Sequence, residues 1–465
     1  MLEYIYDQND SSIRIQKDYS INLIKTFGGV KLSIKENPFH LSELSQIEKY
    51  SIKGMIKSDD VNKQLSNIKH IGFEVTDSCN LQCFYCTYGC FYNNYDYRGN
   101  RKINFEQAKL LIDYLIKKTN TSANESFVNN IYVSFYGGEP LLNMDFIKKM
   151  VYYTQSCEND NLIFHYMMTT NAIYLKKYVS FLSDNKFIIT VSLDGSKEND
   201  GYRRFPNGET SFDIVYKNLK YVQRKYPSYF KNNIGFNAVI HNLNNLQEVF
   251  SFFYYNFGKI PLFSGLTPVG LRPEKEEDFK KMNVIKPNNT NEKLEIKIKE
   301  VLGLEYGNLK ELQYFIFLYS GNKFDNYNDL LVNKNDVEHI PSGTCFPFSK
   351  RIFMTVNNKI FPCERIGHQF ALGKVTKKNV EINCEEIAQK YNTYYSSLQE
   401  QCTDCYNKIH CTQCMFSIDN LSEKPKCKER ADKKMFDKYL KTNLNILHNQ
   451  PELYRRMMTE ILVAK

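Results

Sequence analysis

The chain has 465 residues, a formal net charge of +9, 13 cysteines and no tryptophan. That length allows two or three domains, and 42% hydrophobic residues is ordinary for a soluble globular protein. There is no apolar run of about 20 residues, hence no transmembrane helix or membrane partner, and Met1–Gln8 lacks a signal-peptide pattern, so a cytoplasmic protein is expected. In such a chain the cysteines read as metal ligands or catalysts sooner than as disulfides. The positive charge forms no compact block, so no nucleic-acid partner is expected; an acidic peptide would suit it.

In chain order, residues 1–69 form a polar prefix. It is either a small β-rich or winged-helix module for peptide recognition or a packing extension of the barrel. From 70 to 270, short β-branched and aromatic strands alternate with amphipathic helices. Strands are expected at 70–76, 131–136, 163–169, 187–193, 234–240 and 262–269. Helices are expected at 105–117, with Ala108, Leu111 and Leu115 on one face, and at 212–225. Such alternation implies parallel βαβ units and an α/β class. Residues 271–344 read as a charged bridge, 345–430 as a cysteine-rich domain and 431–465 as closing helices.

Cys79, Cys83 and Cys86 follow the first expected strand as CxxxCxxC. Cubane iron–sulfur clusters usually take four thiolates, one per iron, so a loop supplying three leaves one iron open for a ligand. The second strand runs into Gly137-Gly138-Glu139-Pro140, where paired glycines allow close backbone approach to a ligand and Glu139 can accept from an ammonium group. Further strands end in Thr170-Asn171-Ala172 and Ser192-Leu193-Asp194-Gly195, and Arg203-Arg204 comes after them. Near the other end, Cys402, Cys405, Cys411 and Cys414 form a dense set, with Cys345 and Cys363 upstream and Cys427 downstream. Such a set binds iron–sulfur clusters or, alternatively, structural zinc. Cys90, Cys157 and Cys384 read as packing or surface thiols, and His165 as facing either the barrel interior or the core.

The CxxxCxxC loop and GGEP turn resemble those of S-adenosylmethionine (SAM) radical enzymes over residues 70–270. The later cysteines resemble the SPASM extension over 345–427. The resemblance implies a partial (β/α)6 TIM-like barrel with a C-terminal cysteine-rich SPASM-type domain, and chemistry at the carboxyl ends of the strands. It implies that Cys79, Cys83 and Cys86 hold a 4Fe-4S cluster that binds SAM. Gly137, Gly138, Glu139 and Pro140 would hold the methionyl amine, and Tyr85 would line the adenine pocket. Thr170, Asn171, Ser192 and Asp194 would face the SAM ribose and substrate. Arg203, favoured by its spacing to Gly208, or Arg204 would pair with the SAM carboxylate. Crossed ligation would give Cys402, Cys405, Cys411 and Cys427 to one auxiliary iron–sulfur cluster. Cys345, Cys363 and Cys414 would serve a second, its fourth position open or filled by another residue.

This chain departs from the family at Ala172 and Asn358, where glycine is usual, in the x2 spacing before Cys414, and near Asn199, where relatives carry a histidine. Glu364, after Cys363, stands where sulfatase-maturating relatives have an aspartate serving as general base. The implied reaction is reductive SAM cleavage to a 5′-deoxyadenosyl radical, with electrons from a donor such as flavodoxin or ferredoxin. The implied function is maturation of a ribosomally made precursor peptide or protein. The alternatives are anaerobic formylglycine-forming sulfatase maturation and, remotely, a non-enzymatic metal-cluster protein binding nucleic acid.

Overall fold

Strand and helix alternate because the apolar residues alternate in two periods. In Leu162–Thr170 every second side chain (Leu162, Phe164, Tyr166, Met168) is buried. In Phe105–Thr119 the buried set Ala108, Leu111, Ile112 and Leu115 follows the helical period. Asn104 caps that helix, accepting from the Gln107 N–H at 3.0 Å.

The computed structural model describes residues 3–7, 12–16, 19–26, 29–36, 56–285, 343–407 and 411–449. It divides the chain into two units. One comprises Met1–Met55, Asn291–Thr344 and Tyr394–Lys465; the other, Ile56–Thr290 and Cys345–Thr393. In the first unit, strands β1 (Glu3–Asp7), β2 (Ser12–Gln16), β3 (Tyr19–Thr26) and β4 (Gly29–Glu36) form an antiparallel sheet in chain order.

The second unit opens with helix α1 (Ser58–Ser66), which buries Val61 and Leu65. Six parallel strands come next: β5 (His70–Thr76), β6 (Asn129–Gly137), β7 (Leu162–Thr170), β8 (Ile188–Ser192), β9 (Ile234–Val239) and β10 (Leu262–Ser264). Helices Phe105–Thr119, Met144–Ser156, Leu175–Asp184, Phe212–Lys225 and Leu246–Phe257 lie between them in sequence. β10 stops well short of the expected 269. Beyond it the chain leaves the sheet: the Thr267 carbonyl accepts from the Tyr92 hydroxyl at 2.9 Å, and that of Gly270 from the Asn93 N–H at 3.1 Å.

A feature that the sequence pattern does not announce closes the first-strand edge. β11 (Ile352–Met354) pairs in parallel with β5, and β12 (Lys359–Phe361), β13 (Gly373–Val375) and β14 (Val380–Ile382) extend the sheet antiparallel. Residues 345–393 therefore group with the barrel strands in one unit, which begins at Ile56, ahead of α1. Most of the expected bridge, 286–342, lies outside the described residues, as does 450–465. Both departures from glycine occupy left-handed backbone: φ is +62° at Ala172 and at Asn358. Asparagine tolerates that region better than other side chains.

Candidate active site

The three cysteines of the loop after β5 line one cavity of about 280 Å³. Backbone hydrogen bonds fix the loop: the Gln82 N–H donates to the Arg204 carbonyl at 2.7 Å and the Phe84 N–H to that of Tyr202 at 3.0 Å. At its root, burial alone would raise the Asp77 carboxyl, but donors from Gly99 and Arg101 hold it below the usual range. Burial pushes the Cys79 thiol up to about 11 and the Cys83 thiol up to about 12, and Cys86 adds to both. The polypeptide alone thus leaves these thiols protonated; a bound cationic centre is what ionises such ligands. Three converging thiols on one cavity wall fit a cluster with one iron open.

Gly137 and Gly138 also line the cavity, and the close approach they permit is to the chain itself. A Cβ on Gly138 would sit 1.9 Å from the Ser78 carbonyl oxygen, and one on Gly137, at φ +131°, 2.3 Å from that of Thr76. The GGEP turn is thereby pressed against the cysteine loop, its Glu139 N–H donating to the Ser78 carbonyl at 2.9 Å. Pro140 begins the short 3-10 turn after it. The buried Glu139 carboxylate accepts from Leu141 N–H (3.1 Å), Thr170 Oγ1 (2.6 Å) and Asn171 N–H (2.8 Å). Burial raises it despite those donors. Asn171 Nδ2 reaches Asn80 Oδ1 at 2.8 Å, so the ends of β6 and β7 and the cysteine loop form one bonded surface.

Opposite, Ser192 and Asp194 line the cavity past the end of β8. Asp194 Oδ1 accepts from the Val239 N–H at 2.9 Å, and Oδ2 from the Tyr85 hydroxyl. Tyr85 in turn accepts from Arg203 Nη1 at 3.2 Å. Burial works against the Arg203 guanidinium, but the Asp194 and Asp200 carboxylates near it more than offset that and raise it. Arg204 does not line the cavity: its Nε and Nη1 cap the Gly201 and Gly208 carbonyls at 2.6 and 3.2 Å on an exposed turn. Asn199, near the family's histidine position, bonds Glu248 Oε2 at 2.9 Å and the Leu243 carbonyl at 3.2 Å.

Tyr88 and Tyr136 also line the cavity, with rings 6.5 Å apart. Arg98 lies 4.0 Å above the Tyr88 ring and is bound to Glu74 at 2.7 Å. Cys363 is half-buried, and burial with the Glu364 charge pushes its thiol up to about 12. Glu364 is gripped by Arg351, whose Nη1 lies 2.8 Å from both carboxylate oxygens. A proton acceptor at this position would have to share that grip. Cys345 is exposed, as is Cys90. His165 meets Tyr132 and Asn130 in mid-strand and does not line the cavity.

In the other unit, Cys402, Cys405, Cys411 and Cys427 line a cavity of about 160 Å³ with Arg430. Burial and the three neighbouring sulfurs push Cys402 up to about 12. Cys414, just before the turn Met415–Ser417, does not line it. These four thiols fit a second cluster with full thiolate ligation.

Two residues beside the Asp194 side of the cavity were not singled out from sequence. His241 and Asn244 lie just past β9, both fully buried, and both contact Asp194. A buried polar residue just past the carboxyl end of a barrel strand was the available signal.

An open parallel barrel with a three-cysteine loop and a GGEP turn at its strand ends defines an enzyme of the radical type. The Radical SAM superfamily model matches residues 73–249. An uncharacterized protein of Methanocaldococcus jannaschii is 31% identical over 48% of this chain and 70% of its own length. The cysteine-type anaerobic sulfatase-maturating enzyme of Clostridium novyi is 24% identical, covering 71% of this chain and 83% of that enzyme. The fold is similar to that of native anSMEcpe with bound AdoMet and Cp18Cys peptide. The TM-score is 0.52 at 18% identity, over 84% of this chain and 98% of that one. The chain belongs to the radical SAM superfamily and is an enzyme related to anaerobic sulfatase maturases, with a 4Fe-4S cluster and SAM as cofactors. Its cysteine-rich carboxyl-terminal region fits auxiliary clusters. Among the described residues no helix is long and apolar enough to cross a membrane.

Proposed function

We propose that this enzyme matures a ribosomally made peptide or protein, using the 5′-deoxyadenosyl radical to modify one side chain. The observation that carries the substrate class is a part of the cavity lining. It presents the phenols of Tyr88 and Tyr136, and the nearby Arg98 is neutralised by Glu74. Such a wall suits uncharged amides and side chains and offers little to a phosphorylated substrate.

Bound to the loop cysteines, the cluster supplies the electron that splits SAM into methionine and the radical. Arg203 and Glu139 would hold the two charged ends of the SAM methionyl group, and Asp194 and Tyr85 its nucleoside. Glu364 would take the proton released as the substrate radical is oxidised, and the auxiliary clusters would take the electron. Flavodoxin or ferredoxin would serve as donor, and the β1–β4 sheet would recognise the peptide's leader. Similarity to the Clostridium novyi enzyme along most of the chain favours a second reading, oxidation of a sulfatase cysteine or serine to formylglycine.

The test is anaerobic turnover of the reconstituted enzyme with SAM, dithionite and the short peptide encoded beside its gene. Modification in step with 5′-deoxyadenosine is expected. An aldehyde formed on a sulfatase peptide instead selects the second reading. Coupled turnover of a nucleotide, with neither peptide modified, overturns the substrate class.

A further inference from the structure

The His241 ring lies among fixed polar neighbours, its Nε2 3.4 Å from Asn244 Nδ2. Its Nδ1 accepts the Leu243 N–H at 3.2 Å, so in the neutral imidazole the proton sits on Nε2. Nε2 faces Asp194 Oδ2 at 3.5 Å, the same oxygen that receives the Tyr85 hydroxyl. The ring also packs on two tyrosines, with centroids 5.9 Å from Tyr85 and 4.9 Å from Tyr202. Beside it Asn244 spends its amide on the carbonyls of Asp194 (3.2 Å) and Val239 (2.9 Å), fixing the backbone that carries the carboxylate. His241 itself does not line the cavity, whereas Asp194 and Tyr85 do.

We propose that His241 is a positioning residue for SAM: its Nε2–H and ring face hold Asp194 and Tyr85 in the one arrangement that receives the nucleoside. The inference rests on the cavity being the SAM site. Asp194 is nearly fully buried, and a buried carboxylate deprived of a donor turns toward whatever donor remains. Here those are the Val239 N–H, fixed in the backbone, and Tyr85 with Arg203 behind it. Without His241 both cavity-facing groups are drawn off their places together.

His241→Phe keeps the ring and removes the donor; His241→Gln restores an N–H of similar reach. The measurements are iron content, melting temperature, SAM affinity by equilibrium dialysis of the reconstituted enzyme, and the KM and kcat of uncoupled 5′-deoxyadenosine formation. Phe is expected to weaken SAM binding about tenfold, with KM rising in parallel, kcat within about threefold and iron unchanged. Such a loss is the scale of one weak polar contact to a buried carboxylate. Gln is expected to recover affinity to within about threefold. Wild-type affinity in His241→Phe, or equal losses in both variants at full iron content, overturns the assignment. Wild-type enzyme that binds no SAM would instead overturn the site itself.

Discussion

The barrel's cysteine loop and the carboxyl-terminal thiol pocket hold their sulfurs by different means. In the first, three cysteines lie within eight residues, bonded on one side to the Tyr202–Arg204 turn and on the other to the GGEP turn. The loop is thus tied to the rest of the barrel by backbone hydrogen bonds on both sides. In the second, Cys402 ends helix Cys384–Thr403, Cys405 lies one turn on, and Cys411 and Cys427 come from separate irregular segments. Short ties such as Cys427 N–H to Gln401 Oε1 at 3.0 Å and Ala431 N–H to Cys405 Sγ at 3.5 Å are what join them. A site of this second kind takes much of its stability from the metal it binds. The lesson is that one cluster is received by a finished socket, while the other would complete its own.

The sharpest way to break that contrast is to remove each cluster in turn. Changing Cys79, Cys83 and Cys86 to Ala should abolish 5′-deoxyadenosine formation and lower iron from about twelve to about eight per chain, if all three clusters are cubanes. Protease resistance should be unchanged. Changing Cys402 and Cys405 to Ala should remove a similar share of iron, leave uncoupled SAM cleavage within a few-fold, and expose residues 402–430 to proteolysis. Equal protease sensitivity in the two variants would erase the distinction.

Glu364→Gln is expected to lower peptide modification by about 10²-fold or more while uncoupled SAM cleavage persists, the scale of a lost acid–base group. Turnover within a few-fold of wild type would make the Arg351–Glu364 pair structural only. Arg203→Ala should weaken SAM binding by more than about tenfold, because it removes one charge from a buried set. Arg204→Ala should change it less than about twofold, since its bonds go to an exposed turn; dialysis against labelled SAM reads both. The smallest effect belongs to the β11–β12 turn. Asn358→Ala should cost about 1 kcal/mol in anaerobic melts, because alanine is strained at positive φ, and Asn358→Gly should cost little or nothing.

Much of the barrel was legible because its strands repeat with period two over five or more residues. β5 to β9 fall within about two residues of the ends that pattern gives. β11 to β14 have three residues each, too few to display a period. β11 also finds its partner far back in the chain, Ile352 lying against Ile71, and no local signal marks so distant a pairing. At the site, cysteine spacing and the GGEP turn announce themselves because their chemistry needs neighbours in sequence. Arg203 and Arg204 could not be separated by spacing with the same certainty; the turn decides which one points inward. His241 was illegible for the opposite reason: its partners lie past β8 and in the cysteine loop, and nothing in Ile240-His241-Asn242 marks the ring as buried.

The pairing of β11 with β5 also bears on how the molecule is born. At the ribosome β5 emerges early, yet its outer edge stays unpaired until residues 352–354 have been made. Through most of synthesis the nascent barrel therefore carries an open strand edge with Ile71, Phe73 and Val75 along it, the kind of edge to which other chains add. A fragment ending near residue 290 would keep that edge permanently. The late segment thus acts as a clasp on the barrel's first strand.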